Sequence, residues 1–475
     1  MKKNHIIIGL LSIFVWTSMG CKKTLQEKPL TFISPSTYFT NAQSYESAVL
    51  GIYSDLGGLY SGDAYMMLEM CTVIYGQPSP SYEQALPMYQ NAPSPVYYCT
   101  LDAWNSAYSQ IKDANFILEN LPGGSIPDTT KSRLTAEARF LRAFAYFYLV
   151  QLYGEVPLRK TTVESYSDVQ APRASQDSVY DFILGDLTYA EANLPAVAPA
   201  QGRVYKWVAS ALLSKVYLTL AGNPMNRAGD YQQARDEALA VINSGNFQLV
   251  SGYANIFHNT AYTTESIWER LYVPNLGGNP LHSLSCTATQ YNALLVPAPW
   301  FINSFAPRDQ RLTWGIQQQY KGPSGNILSP FFEKFVQNSA IDQGLGPSAS
   351  GLIVSYTLPY LRLGEMYLIA AEAENEVNGP ANAYQYINKI RERAGIGDLA
   401  GLTQDQFRDS VWLERKHELS QEGSTWFDMK RTNTFGNIQT VRGSGLINPI
   451  GPYNSTWLIP YTELTANNIP QNPVY

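Results

Sequence analysis

Apolar side chains recur every three or four residues over several long stretches, and most of these stretches end at a glycine or a proline. The spacing predicts helices over 101–121, 131–153, 177–194, 205–220 and 231–244, and again over 356–378, 381–394 and 404–431. Pro122-Gly123-Gly124 closes the first, Gly154 and Pro157 the second, Pro195 the third, and Gly222 with Pro224 the fourth. Short turns between long helices imply antiparallel pairs. The second members carry small side chains where a neighbour must come close: Ala136, Ala138, Ala143 and Ala145, then Ala209 and Ala211. One such hairpin cannot bury its apolar face without the next. The predicted class is therefore mostly α, a tetratricopeptide-like right-handed helical repeat with long irregular loop insertions.

The helical rhythm lapses twice, over about 57–100 and about 247–355. The second lapse holds Pro274, Gly277, Gly278, Pro280, Pro297, Pro299, Gly322, Pro323, Gly325, Pro330, Gly344 and Pro347, yet it is rich in Tyr, Trp and Phe. Aromatics on that scale argue for ordered binding loops over disorder. We expect one domain over 44–475, with repeats at about 101–245 and 356–431 and a Pro- and Asn-rich tail from Phe435 packed on the body.

The first forty residues read differently. Lys2 and Lys3 precede an apolar run from Ile6 to Trp16, too short to span a bilayer, which meets Gly20-Cys21. We expect a lipoprotein signal peptide over 1–20, acylation of Cys21, and a tether over 21–43 that contains Pro29 and Pro35. At about 0.8 kcal/mol per buried methylene, several acyl chains would hold the protein on a bilayer that it does not cross. Cys71, Cys99 and Cys286 remain, an odd number without zinc spacing, so neither a disulfide framework nor a metal site is implied. A Cys71–Cys99 bridge stays open.

Charge narrows the partner. Charged residues make up only 15% of the chain against roughly 25% in ordinary soluble proteins, and the net charge is -6. Phosphate-backbone binding needs clustered Lys and Arg, so no nucleic-acid partner is expected. Glu137, Arg139 and Arg142, and later Arg391, Arg393, Glu414, Arg415 and Glu418, lie at helical spacings that suit ion pairs between packed helices. Glu365, Glu372, Glu374 and Glu376 share one helix and leave no cleft between two facing acids, so they are not the pair a glycosidase needs. His417-Glu418 lacks the second histidine of a zinc motif, and Gly443-Ser444-Gly445 does not complete a dinucleotide loop. No catalytic residue, cofactor or metal ligand is expected.

The positive signal is aromatic and falls in the loops: Tyr82, Tyr89, Tyr97 and Tyr98 with Asn91, then Tyr291, Trp300, Trp314 and Tyr320. A flat ring covers the C–H face of a pyranose while amides and charged groups take the hydroxyls. Asp102, Asn292, Asp309, Arg311 and Gln318 stand nearby in sequence as candidate polar partners. The same rings suit packing or a protein interface.

Several blocks resemble one family. Glu137-Ala138-Arg139-Phe140-Leu141-Arg142-Ala143, running on to Gly154-Glu155-Val156-Pro157, is similar to a signature of the SusD/RagB nutrient-binding lipoproteins of Bacteroidetes. Leu361-Arg362-Leu363-Gly364-Glu365-Met366, Ile390-Arg391-Glu392-Arg393-Ala394-Gly395, Glu414-Arg415-Lys416-His417-Glu418-Leu419, Trp426-Phe427-Asp428-Met429-Lys430-Arg431 and Gln471-Asn472-Pro473 follow in the family's order. Thr425 and Val474 depart from its commonest residues. The resemblance implies a SusD-like helical lid on a SusC-like TonB-dependent outer-membrane barrel. It implies an oligosaccharide or other nutrient ligand, a peptide in some branches, and lipid anchorage at the cell surface. Repeats that bind only protein partners are the rival reading. Cys21→Ala should move the protein from the membrane to the soluble fraction; continued sedimentation with outer membranes would refute the anchor.

Overall fold

The computed structural model describes residues 38–59, 62–76, 98–163, 168–272, 278–285, 295–321, 325, 327–328, 330–337, 354–442 and 451–473. Contacts divide the chain into Met1–Thr40, where the rings of Tyr38 and Phe39 meet edge-on at 5.2 Å, and Asn41–Tyr475, which carries the helical stack.

The centre of the second unit is α4 (Asp128–Tyr153), which Pro127 precedes and Gly154 ends at φ 71°. Asp128 in its first turn complements the helix dipole. From Ala136 to Tyr153 every side chain except Arg139 is buried. A helix buried all round needs neighbours on every side. α1 (Ala42–Leu59), α3 (Tyr98–Asn120) and α5 (Gln176–Asn193) supply them, with α2 (Gly62–Met70) against α3. The stack then runs from α5 to α6 (Lys206–Ala221) and α7 (Asp230–Ile242). Helix makes up 57% of the described residues.

Local chemistry explains several ends. Asn41 Oδ1 accepts the Ser44 amide at 3.0 Å and opens α1, and Ser175 accepts the Ser178 amide and opens α5. Gly58 lies where α1 passes closest to α3: a Cβ there would fall on the Ser106 hydroxyl.

The long aromatic excursion leaves after α7 and returns to the same place. Its ends are β3 (Ser266–Arg270) and β8 (Leu358–Arg362), which pair antiparallel with Ser266 opposite Arg362 and Arg270 opposite Leu358. β8 passes directly into α11 (Leu363–Asn378), and α11 packs on α7 as the next member of the stack. α12 (Pro380–Arg393) and α13 (Gln404–Leu419) complete it, α13 starting at a Thr403/Gln406 capping box. Trp268 carries the ribbon onto α4. Its ring meets Phe140 at 5.4 Å, Phe144 at 5.1 Å and Tyr360 at 4.7 Å, and its indole donates to Gly202 O at 3.0 Å.

Three expectations are corrected. Residues 356–378 do not form one helix, because the first part is β8, whose pairing edge comes from a segment about ninety residues earlier. Residues 404–431 form two helices, α13 and α14 (Thr425–Arg431), since Gln421 and Gly423 take φ of 61° and 72° and reverse the chain. The loop expected from residue 57 begins later, after α2.

Buried charge joins the excursion to the stack. Arg362, 1% exposed, reaches Glu265 at 2.8 Å, Glu418 at 2.6 Å and Glu422 at 2.7 Å. Arg393 pairs with the same Glu265 and Glu418, and Lys334 with Glu422 at 2.7 Å. Arg311 pairs with Asp309 at 2.7 Å and Glu414 at 2.5 Å, and Arg391 also holds Glu414. Five basic groups thus meet five acidic ones, and the cluster is neutral. A second set ties α11 outward: Glu365 to Lys215, Glu372 to Arg431, Glu374 to Arg235 and Glu376 to Arg408. Arg142 bridges α3, α4 and α5 through Asn115 and both oxygens of Asp186.

Burial alone would raise the Glu418 carboxyl, but Arg393, Arg362, Arg311 and Lys334 outweigh it and hold the group well below its usual 4.5. Glu418→Gln should cost about 3–5 kcal/mol, the scale for breaking one side of a buried pair, read from urea unfolding. A depressed carboxyl contributes stability that is present above about pH 4.5 and is lost as pH falls below it. The gap between wild type and variant should therefore narrow below pH 4.5; a pH-independent gap would mean that Glu418 is not ionised.

Candidate functional site

The excursion presents its rings on short elements: a 3-10 turn (Tyr253–Ile256), α8 (Leu281–Ser285), α9 (Pro299–Asn303), α10 (Gln310–Thr313), β4 (Ile316–Gln317), β5 (Tyr320–Lys321), β6 (Ile327–Leu328) and β7 (Phe331–Phe332). β4 pairs with β7 and β5 with β6. None is long enough to hold itself together, so each depends on what it packs against.

Two of the candidate binding aromatics have described side chains. Trp314 follows α10 and lies parallel to Phe257 at 6.2 Å and edge-on to Tyr253 at 5.9 Å. His258 lies 5.2 Å from Trp314 and stacks on Tyr356 at 4.5 Å, while its Nε2 meets Glu333 O at 2.9 Å. Trp314, His258 and Tyr356 are half-buried and form one aromatic surface. Trp300 docks elsewhere, its indole donating to Val73 O at 2.6 Å and its ring edge-on to Phe301. Both tryptophans are thus packed and partly open.

Tyr98 opens α3 and Tyr320 lies in β5 opposite Leu328. Cys21, Tyr82, Tyr89, Asn91, Tyr97 and Tyr291 lie outside the described residues, as does Asn292. Asp102 and Gln318 are exposed. Asp309 and Arg311 are withdrawn as ligand contacts: at 0% and 2% exposure they are spent on each other and on Glu414. Their structural role is the one the structure supports.

The remaining reactive groups are also engaged. His417 stacks on Phe305 at 3.9 Å and meets Ser304 Oγ at 2.8 Å; burial first, then Arg311, Lys416 and Arg391, keep its ring well below its usual value. No acid orients the other ring nitrogen among the described residues, so the pair lacks the third group of a hydrolytic triad. His282 Nδ1 accepts the Gln337 amide, and Cys71 is buried. Among the described residues no three His, Cys, Asp or Glu groups are placed to hold a metal, and no helix is long and apolar enough to cross a membrane.

One cavity escaped sequence reasoning. It measures about 270 Å³ and lies between α3, the segment after β1 (Val156–Pro157), and α16 (Tyr461–Ala466). Trp104, Asn105, Tyr108, Arg159, Glu463 and Asn467 line it. No local pattern joins residues 104 and 463; only packing of the tail does.

Comparison with known proteins gives this geometry a lineage. Residues 39–218 match the family model described as "Starch-binding associating with outer membrane", and residues 324–448 match the model described as "SusD family". SusD-like protein P25 of Formosa agariphila is 27% identical over 99% of this chain and 98% of its own length. Starch-binding protein SusD of Bacteroides thetaiotaomicron is 30% identical over 34% of this chain and 28% of its own. A crystal structure of a SusD superfamily protein from Parabacteroides distasonis covers 91% of this chain and 99% of its own, with a TM-score of 0.82 at 24% identity, which establishes the fold. With family models matched over 39–218 and 324–448 and a relative aligned along nearly its whole length, the chain belongs to the SusD/RagB family.

Proposed function

We propose that this protein is a non-catalytic, lipid-anchored binding protein of the outer-membrane surface, which captures an oligosaccharide and passes it to a SusC-like TonB-dependent barrel. The observation that carries the reading is the fastening of an aromatic-rich excursion onto a rigid helical stack by β3, β8 and a neutral buried ion cluster. A platform of that kind suits recognition, since rings held in place lose little entropy when they close on a sugar face. The starch-binding description of the matched family and the starch-binding relative support a glycan as the ligand class. Acylation at Cys21 accounts for membrane attachment in a chain whose described helices do not span a bilayer.

We assign ligand contact to the loop residues Tyr82, Tyr89, Asn91, Tyr97 and Tyr98 from the first loop, and to Tyr291, Trp300, Trp314 and Tyr320 from the second. Replacing Tyr82, Tyr89 and Tyr291 together with Ala should weaken binding of the preferred neutral glycan at least roughly tenfold, about 1.4 kcal/mol, with the unfolding temperature unchanged. Titration calorimetry against a panel of α- and β-linked polysaccharides checks this. Tight binding of peptides with no response to any saccharide would overturn the glycan assignment.

A further inference from the structure

We infer that the cavity between α3 and α16 is a second saccharide site, shaped for a single uncharged pyranose ring and separate from the loop aromatics. The inference rests on the reading of this protein as a glycan binder.

Its frame is pre-formed. Trp104 lies edge-on to Tyr153 at 5.0 Å and tilted on Tyr108 at 4.9 Å, and the Tyr108 hydroxyl donates to Pro157 O at 2.8 Å. The backbone of Arg159 is clamped on both sides by one hydroxyl: its N–H donates to Tyr146 Oη at 2.6 Å, and that oxygen donates to Arg159 O at 2.9 Å. The guanidinium is then aimed by bonds to the carbonyls of Asp168 and Val169. On the far side the tail is pinned by Trp457 N to Leu152 O at 2.6 Å and Asn472 Nδ2 to Trp457 O at 2.7 Å, which sets the position of α16.

What the frame presents is unspent hydrogen-bonding capacity. Asn467 is 7% exposed; its Oδ1 accepts the Ala171 amide at 2.7 Å, while its NH2 has no protein partner among the described residues. The exposed Asn105 amide likewise has none. The Glu463 carboxyl takes the Trp104 indole and faces Arg159, with lone pairs to spare. Two of the five guanidinium donors of Arg159 are used. Donors and acceptors thus converge from three elements, as adjacent sugar hydroxyls require. The opposed charges of Arg159 and Glu463 cancel, which favours a neutral ligand over an anion or a cation. About 270 Å³ is just below the roughly 300–1,000 Å³ of drug-sized pockets, so one ring fits and a chain does not. Val163, 46% exposed, stands at the rim.

Saturation-transfer NMR with glucose, galactose, mannose and their methyl glycosides tests this on the purified protein. Wild type should give a monosaccharide signal. Asn105→Ala should weaken it roughly three- to tenfold, and Val163→Trp, which plugs the mouth from an exposed position, should abolish it. The Tyr82/Tyr89/Tyr291 triple Ala variant should keep it while losing oligosaccharide binding. A signal that survives both cavity variants, or a wild type that binds oligosaccharides but no monosaccharide, overturns the second site and leaves the proposed function standing. A wild type that binds no saccharide of any length overturns both.

Discussion

The contact between Arg362 and Glu418 is the interaction on which the rest of the structure depends. It sits where β8 becomes α11, the point at which an excursion of more than one hundred residues rejoins the helical stack. Removing two such charges from water costs several kcal/mol each, so one isolated pair there would be a poor source of stability. The protein meets that cost by sharing. Glu418 serves Arg362, Arg393 and Arg311, while Arg362 serves Glu265, Glu418 and Glu422. Planar guanidinium groups suit the task, because each offers donors in several fixed directions. The result is geometric: Glu265 ahead of β3, Arg311 after α9, Lys334 after β7 and Glu422 after α13 are held in one register that no slippage can satisfy.

A different physics holds the stack. There, alanines on α4 and α6 let helices approach, and Gly222 does the same where α6 meets Arg431: a Cβ at Gly222 would lie 2.5 Å from that residue's carbonyl oxygen. Aromatic rings fill the wider gaps. Tyr146, Tyr153, Tyr180, Trp268 and Trp426 are all almost fully buried. Much of the chain's aromatic content therefore serves packing, and abundance alone does not locate recognition. Trp314, His258 and Tyr356 differ from these in exposure: they remain half open at the edge of a packed cluster that fixes the orientation of their rings.

The acids on α11 show how the same residue type takes its role from its surroundings. Glu365, Glu372, Glu374 and Glu376 follow one another at short spacing, yet each faces a different cation on a different element. By contrast, the Glu69 carboxyl has no salt-bridge partner among the described residues and bonds to Tyr75 and the Gly423 amide; burial pushes it up to about 7. The distinction is made by packing, since nothing in the residues beside Glu69 announces it.

Six of the helices were legible in the sequence to within about three residues at either end: α3 to α7 and α12 are set by the 3.6-residue period and by the glycines and prolines that bound it, which are local properties. The class of fold follows from the same period, because small-residue hairpins have to stack. The charged residues of 137–142 and 391–418 were legible as structural for a similar reason, their spacing placing them on faces that meet other helices. α1 was harder to see, since Gly51, Gly57 and Gly58 lower its propensity and its helix is justified only by how closely it passes α3. β8 was read as helix because a five-residue apolar segment is ambiguous until a partner strand is supplied, and its partner lies far away in sequence. Tertiary structure alone likewise spent Arg311 on Glu414 and brought Glu463 against Trp104. Periodicity is written in neighbouring residues and survives in isolation, whereas a buried ion pair or a cavity wall exists only when distant segments share the space that water has left.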